Sequence, residues 1–287
     1  MAVERQRAGD GEGSPAQPAR RSSELPARVA AGLVMMALAL GAVWAGTVWF
    51  ALFWLIALAA VNWEWQGLVG GEGQAARVGV GGGALVIAAV LATSGETQWA
   101  ILAALLGAAL VAFVVAPRNP WPAGGILYAA APLIALTVLR SSEEFGAQAI
   151  LWLFALVWGV DVMAYFGGRL IGGPKLWPRV SPGKTWSGFA VGVVCGAALG
   201  TLLAPAGGSK SALFALGLIG GAVAQGGDLF ESAVKRRFGA KDSSHLIPGH
   251  GGLMDRLDGF IAAATFAALV GAARGGLAHA AKGLLLW

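Results

Sequence analysis

From Val29 to Trp63 the chain runs 35 residues without an Asp, Glu, Lys or Arg. As a helix rising about 1.5 Å per residue, such a run is roughly 50 Å long, too long for one crossing of a hydrocarbon core about 30 Å thick. Two short spans with a break near Gly41 to Gly46 resolve the mismatch. Composition points the same way. Of 287 residues 12% are charged, against about 25% in soluble domains, while 57% are hydrophobic and mean hydropathy is +0.69. Apolar run follows apolar run, which excludes disorder, and the 45 glycines keep no three-residue period, which excludes collagen. What remains is an all-α, polytopic integral membrane protein.

Further apolar segments at about 78–93, 98–116, 122–139, 148–167, 187–205, 211–229 and 259–277 bring the expected number of transmembrane helices to about nine. Trp44, Trp49, Trp63, Trp65, Trp99, Trp121, Trp177 and Trp186 lie near segment ends, as an interfacial belt requires. Residues 1–28 are polar and rich in Gly, Pro, Ser, Arg and Glu; they read as a disordered cytoplasmic extension, not a signal peptide. With the N-terminus cytoplasmic, 16 Lys and Arg fall inside and 4 outside, which favours that orientation. Residues 29–287 then form one transmembrane catalytic domain with cytoplasmic loops at about 168–186 and 231–258. The lone Cys195 excludes an internal disulfide framework and a cysteine zinc site. The sequence pI of 9.8 reflects cytoplasmic loops, because no basic tract or aromatic reading surface suggests nucleic acid.

Two segments concentrate charge. Gly226 to Gly259 reads GGDLFESAVKRRFGAKDSSHLIPGHGGLMDRLDG. Asp228 ends an apolar span, and Glu231, Ser232 and Lys235 follow at helical spacing, so one shared face is expected. The glycine-rich PGHGG offers backbone N–H groups to phosphate oxygens. Asp255 and Asp258 open the last span three residues apart on one helical face. The second segment, Asp161 to Gly188, places Asp161 inside an apolar span, where a carboxylate is expensive without a function. Arg169, Lys175, Arg179 and Lys184 then alternate with glycine pairs and SPGKT. That motif lacks the full phosphate-loop spacing, since Pro178 stands where its first glycine belongs, and no strand is expected before it. Carboxylates beside cations at a membrane boundary suit Mg²⁺-assisted displacement on a polyphosphate.

Ser232 to Asp258 resembles the signature of the phosphatidate cytidylyltransferases, also called CDP-diacylglycerol synthases. The matching positions are Ser232, Lys235, Arg236, Lys241, Asp242, Ser244, Pro248, His250, Gly251, Gly252, Asp255, Arg256 and Asp258. The resemblance extends upstream through GDLFES and SPGKTWSG, over most of the C-terminal 130 residues. One departure is Ser187, where the family usually has an acid.

The resemblance implies condensation of CTP with phosphatidic acid to CDP-diacylglycerol and pyrophosphate, at the cytoplasmic face of the inner membrane. It implies Mg²⁺, with a second cation such as K⁺, held by Asp228 and Asp255; Asp161, Glu231 and Asp258 are the next candidates for ligands. Asp228, Asp255, Lys235, His250 and Asp258 are the expected catalytic set. Ser232, Arg236, Lys241, Gly251, Gly252, Arg256, Lys184 and Arg169 are expected to bind substrate, and a homodimer is an open expectation. Two rival classes fit the sequence less well. A cation transporter built on Asp161 and Asp228 leaves the polar segment 231–258 unexplained, and a CDP-alcohol phosphotransferase needs a DGxxAR run that is absent after Asp258-Gly259.

Overall fold

The structure, a computed structural model, describes residues 20–247 and 251–287, with side chains from residue 32 onward. Residues 1–19 of the polar extension, and His250, lie outside the described residues. The helices are α1 (Arg20–Trp44), α2 (Thr47–Val69), α3 (Gln74–Thr93), α4 (Thr97–Leu110, continued by a π-helical turn Val111–Val115), α5 (Trp121–Ser141), α6 (Gly146–Ile171), α7 (Trp186–Thr201), α8 (Lys210–Arg237), α9 (Met254–Gly275) and α10 (Ala280–Leu285). Among the described residues seven helices are long and apolar enough to cross a membrane: α2, α3, α4 with its π-turn, α5, α6, α8 and α9. The apolar part of α1, Gly32–Trp44, and α7 are shorter.

The charge-free run divides at Ala45 and Gly46, where Gly46 takes φ 98° and separates α1 from α2. Large apolar side chains cover the outside: Leu170 is 80% exposed, Phe113 79% and Trp44 71%. An aqueous surface does not carry apolar patches of that extent, and lipid accepts them. Trp49, Trp99, Trp177 and Trp186 are likewise exposed, but Trp65 departs from the expected belt. It is 1% exposed, donates its indole N–H to the Trp121 carbonyl at 2.8 Å and packs on Tyr128. Its position near a segment end suggests exposure at the interface; its N–H instead finds a partner at the start of α5, and the ring packs between helices.

The core runs through α5, whose span is 72% buried, more than any of the other six. Around it, Trp54 of α2 stacks on Phe260 of α9 with centroids 4.9 Å apart, and Phe260 stacks on Phe154 of α6 at 5.4 Å. Three helices that carry acids are thereby packed together. Two further crossings are set by glycine. A Cβ built at Gly188, Gly192 or Gly196 of α7 would lie 2.7 Å from the carbonyl oxygen of Ala164, Val160 or Leu156 of α6, respectively. At α8 and α9, Gly227 faces the Asp258 carbonyl and Gly259 the Ala224 carbonyl, at 2.8 and 2.9 Å for the same hypothetical atom. Helices approach this closely in lipid only where small residues line the seam.

One expectation is corrected between α6 and α7. The loop read as irregular folds into an antiparallel hairpin, β1 (Lys175–Trp177) and β2 (Ser181–Thr185), so a strand does precede SPGKT, and SPGKT is itself a strand. Its turn is Trp177-Pro178-Arg179-Val180, with the Val180 N–H donating to the Trp177 carbonyl at 3.1 Å. Proline at the second position of such a turn is favoured because its φ is already set. Thr185 then caps α7, accepting the Gly188 N–H at 3.1 Å.

Candidate active site

A cavity of about 680 Å³ opens where the hairpin meets α6, α8 and α9, lined by Asp161, Arg169, Lys175, Lys184, Gln225, Asp228, Asp255, Arg256 and Asp258 among others. The α8–α9 glycine crossing brings Asp228 and Asp258 to it, α6 contributes Asp161 and Arg169, and the hairpin delivers Lys184. Lys184 Nζ is 2.5 Å from Asp228 Oδ2 and donates to Gln225 Oε1 at 3.1 Å. Asp161, Asp228 and Asp258 are close enough to repel one another, and each is offset by the Lys184 ammonium. The Ser232 hydroxyl lies at the limit of bonding distance from Asp228 Oδ1, 3.5 Å.

A second, largely buried polar group adjoins the cavity through Asp255. Lys235 Nζ sits 2.7 Å from Glu231 Oε2 and 2.6 Å from Asp255 Oδ1, with Glu231 fully enclosed. Asp255 Oδ2 accepts the Gly252 N–H at 2.8 Å and the Ser243 N–H at 3.0 Å. Lys235 is the costly member to remove, since both acids would then be left without the cation they share. The shared face expected for Asp228, Glu231, Ser232 and Lys235 is thus two neighbouring rows. Asp228 and Ser232 form one beside the cavity, and Glu231 and Lys235 form the other beneath it.

The remaining expected residues divide as well. Arg169 and Arg256 line the cavity, with Arg169 also 3.5 Å from the Tyr165 hydroxyl. Arg236 and Lys241 are exposed and line no part of it; Arg236 donates to the Ala240 carbonyl at 3.1 Å. Gly251 adopts φ 82° in a bridge to Ile247. Ser187 ties the hairpin to the end of α6, bonding Thr185 Oγ1 at 3.0 Å and donating to the Gly172 carbonyl.

Glu64 of α2 had no expected role. It is 1% exposed, and its carboxylate accepts from Ser243 Oγ, Ser244 Oγ and the N–H groups of Leu253 and Met254. The cue was present, because an acid closing a 35-residue charge-free run falls under the same cost argument as Asp161.

Carboxylate oxygens are the ligands that a divalent cation such as Mg²⁺ takes, and Asp161, Asp228, Asp255 and Asp258 bring them to the cavity beside four cations, Arg169, Lys175, Lys184 and Arg256. They are not drawn together as a finished cage: among the described residues no group of three or more His, Cys, Asp or Glu converges to hold a metal. Asp255 and Glu231 already face Lys235.

Fold and site together define a multi-pass membrane protein that gathers carboxylates and cations around one cavity at the ends of apolar helices. The chain belongs to the cytidylyltransferase family, whose model matches residues 26–273. Some proteins named phosphatidate cytidylyltransferase are similar along nearly their whole length. That of Brucella abortus (strain 2308) is 40% identical over 256 residues, covering 87% of this chain and 94% of its own. That of Pseudomonas aeruginosa is 35% identical over 265 residues, covering 87% and 98%. The chain is accordingly a nucleotidyltransferase.

Proposed function

We propose that the protein transfers the cytidylyl group of CTP to phosphatidic acid, giving CDP-diacylglycerol and pyrophosphate. A phosphatidate oxygen attacks the α-phosphorus, a new P–O bond forms, and the bond to the β-phosphate oxygen breaks as pyrophosphate leaves. The nucleophile is already an anion near neutral pH, so relief of charge repulsion matters more than proton removal. Lys184, Lys175, Arg169 and Arg256 line the cavity where that charge would gather. Asp161, Asp228 and Asp258 would hold Mg²⁺, which supplies neutralisation of phosphate charge when bound.

The observation that carries the lipid half of this reading is a second cavity of about 400 Å³, lined by Met35 and Leu38 of α1, Trp54 of α2, Trp158 of α6 and Phe260 of α9. It shares Asp161 and Arg256 with the polar cavity, so an apolar tail in one and a phosphate in the other are joined at a cation. Nine spans, a cytoplasmic N-terminus and an inner-membrane site facing the cytoplasm belong to the same reading. The 16 to 4 distribution of Lys and Arg supports them.

The test is incubation of detergent-purified protein with cytidine-labelled CTP and phosphatidate. A labelled lipid should appear together with an equal amount of pyrophosphate. No labelled lipid, with cation flux in liposomes that needs no nucleotide, would favour the transporter class.

A further inference from the structure

We infer that Glu64, which lines no part of the cavity, is a positioning residue for the transfer reaction; the inference rests on the function proposed above. Glu64 Oε1 accepts from Ser244 Oγ at 2.7 Å and the Leu253 N–H at 2.8 Å. Glu64 Oε2 accepts from the Met254 N–H at 2.7 Å and Ser243 Oγ at 3.1 Å. All four donors belong to the segment that leads into α9, and two are backbone N–H groups at its start. Those groups have no partner within their own helix, and the positive end of the helix dipole favours a carboxylate there. Leu253, at the N-cap position, supplies no side-chain cap of its own. Glu64 of α2 is therefore the cap of α9, provided from a distant part of the chain.

Ser243 carries the effect onward. Its Oγ lies between two acids, 3.1 Å from Glu64 Oε2 and 3.2 Å from Asp255 Oδ2, and its N–H donates to Asp255 as well. Asp255 in turn holds Lys235 and Glu231 of α8. Gly252 fits the same arrangement, since a Cβ there would collide with Ser243 Oγ and stand 2.8 Å from both Glu64 oxygens. The glycine is required by the approach of Glu64 in addition to any backbone contact with phosphate. Arg256 and Asp258 follow within the first five residues of α9 and both line the cavity. A rotation of α9 by one residue, about 100°, would turn them away from it. Four bonds to a rigid neighbouring helix prevent that rotation.

Steady-state kinetics of full-length protein in detergent test the inference. Glu64→Gln keeps the size of the side chain but faces N–H donors with an amide N–H of its own. The expected result is kcat about a hundredfold lower, the scale of a small misplacement of reacting groups, with KM for CTP and for phosphatidate within about threefold of wild type. A folded Glu64→Gln protein with kcat within about threefold of wild type overturns the inference, as does a raised KM at unchanged kcat. If Glu64→Gln does not fold, Ser243→Ala decides. It should lower kcat about tenfold, and Ser243→Thr, which keeps the hydroxyl, should restore it; unchanged kcat in Ser243→Ala overturns the inference. Wild-type turnover in the same assay reports on the proposed function separately.

Discussion

Lys184 reaches Asp228 at 2.5 Å from the end of a short strand and lines the cavity with Asp161 and Asp258. Lys184→Met keeps most of the aliphatic stem and removes the charge. The cavity is open to water, so the protein should fold, but Asp161, Asp228 and Asp258 would then repel the triphosphate. The expected loss in kcat/KM for CTP is about 10²–10³-fold, the scale of removing one electrostatic donor from an active site, read by pyrophosphate release. Asp161 and Asp228 were legible from sequence because a carboxylate within an apolar span must be used or neutralised. Glu64 obeys the same rule, but its partners lie 179 to 190 residues away, and no local spacing encodes that pairing. The family signature sets Arg236 next to Lys235 and implies that both serve the substrate. Successive helical residues diverge by about 100°, which leaves one side chain buried against Asp255 and the other exposed.

At the scale of elements, the seam between α6 and α7 positions the hairpin and hence Lys184. Gly192 has the Val160 carbonyl oxygen and the Ala164 Cβ at 2.7 and 2.8 Å from the position a methyl group would take. Neither is the end of a flexible side chain, so Gly192→Ala must push α7 away from α6. The expected outcome is a fall in stability of about 1–3 kcal/mol, the cost of overpacking a tight seam, seen as a lower melting temperature in detergent, with activity reduced at temperatures where the protein is still folded. The break between α1 and α2 was legible because length against bilayer thickness demands one. The hairpin was not. Its strands are three and five residues long, and five of those eight residues are Lys, Ser, Pro or Gly, which individually argue for a loop. Only the Trp-Pro-Arg-Val turn hints at it, and the turn becomes informative once the flanking residues are seen to pair.

For the molecule as a whole, orientation decides whether the cavity can meet CTP. In a Cys195→Ala background, Arg179→Cys at the hairpin turn should react with a membrane-impermeant maleimide only after cells are permeabilised, whereas Glu96→Cys, between α3 and α4, should react in intact cells. The reverse pattern would overturn the cytoplasmic assignment. The membrane class and the charged segments were plain in the sequence; how far apart their partners lie was not, because a bundle of this kind is closed by contacts that span most of its length. Glu64 illustrates what that closure demands of synthesis. The ribosome makes α2 about 190 residues before Met254, an interval of roughly 10–40 s at 5–20 residues per second. Throughout that time a carboxylate destined for burial has none of its four donors. Nascent chains that stop short of the α8–α9 connection therefore lack every donor that the finished bundle offers this acid, and water at the bilayer edge must stand in for all four.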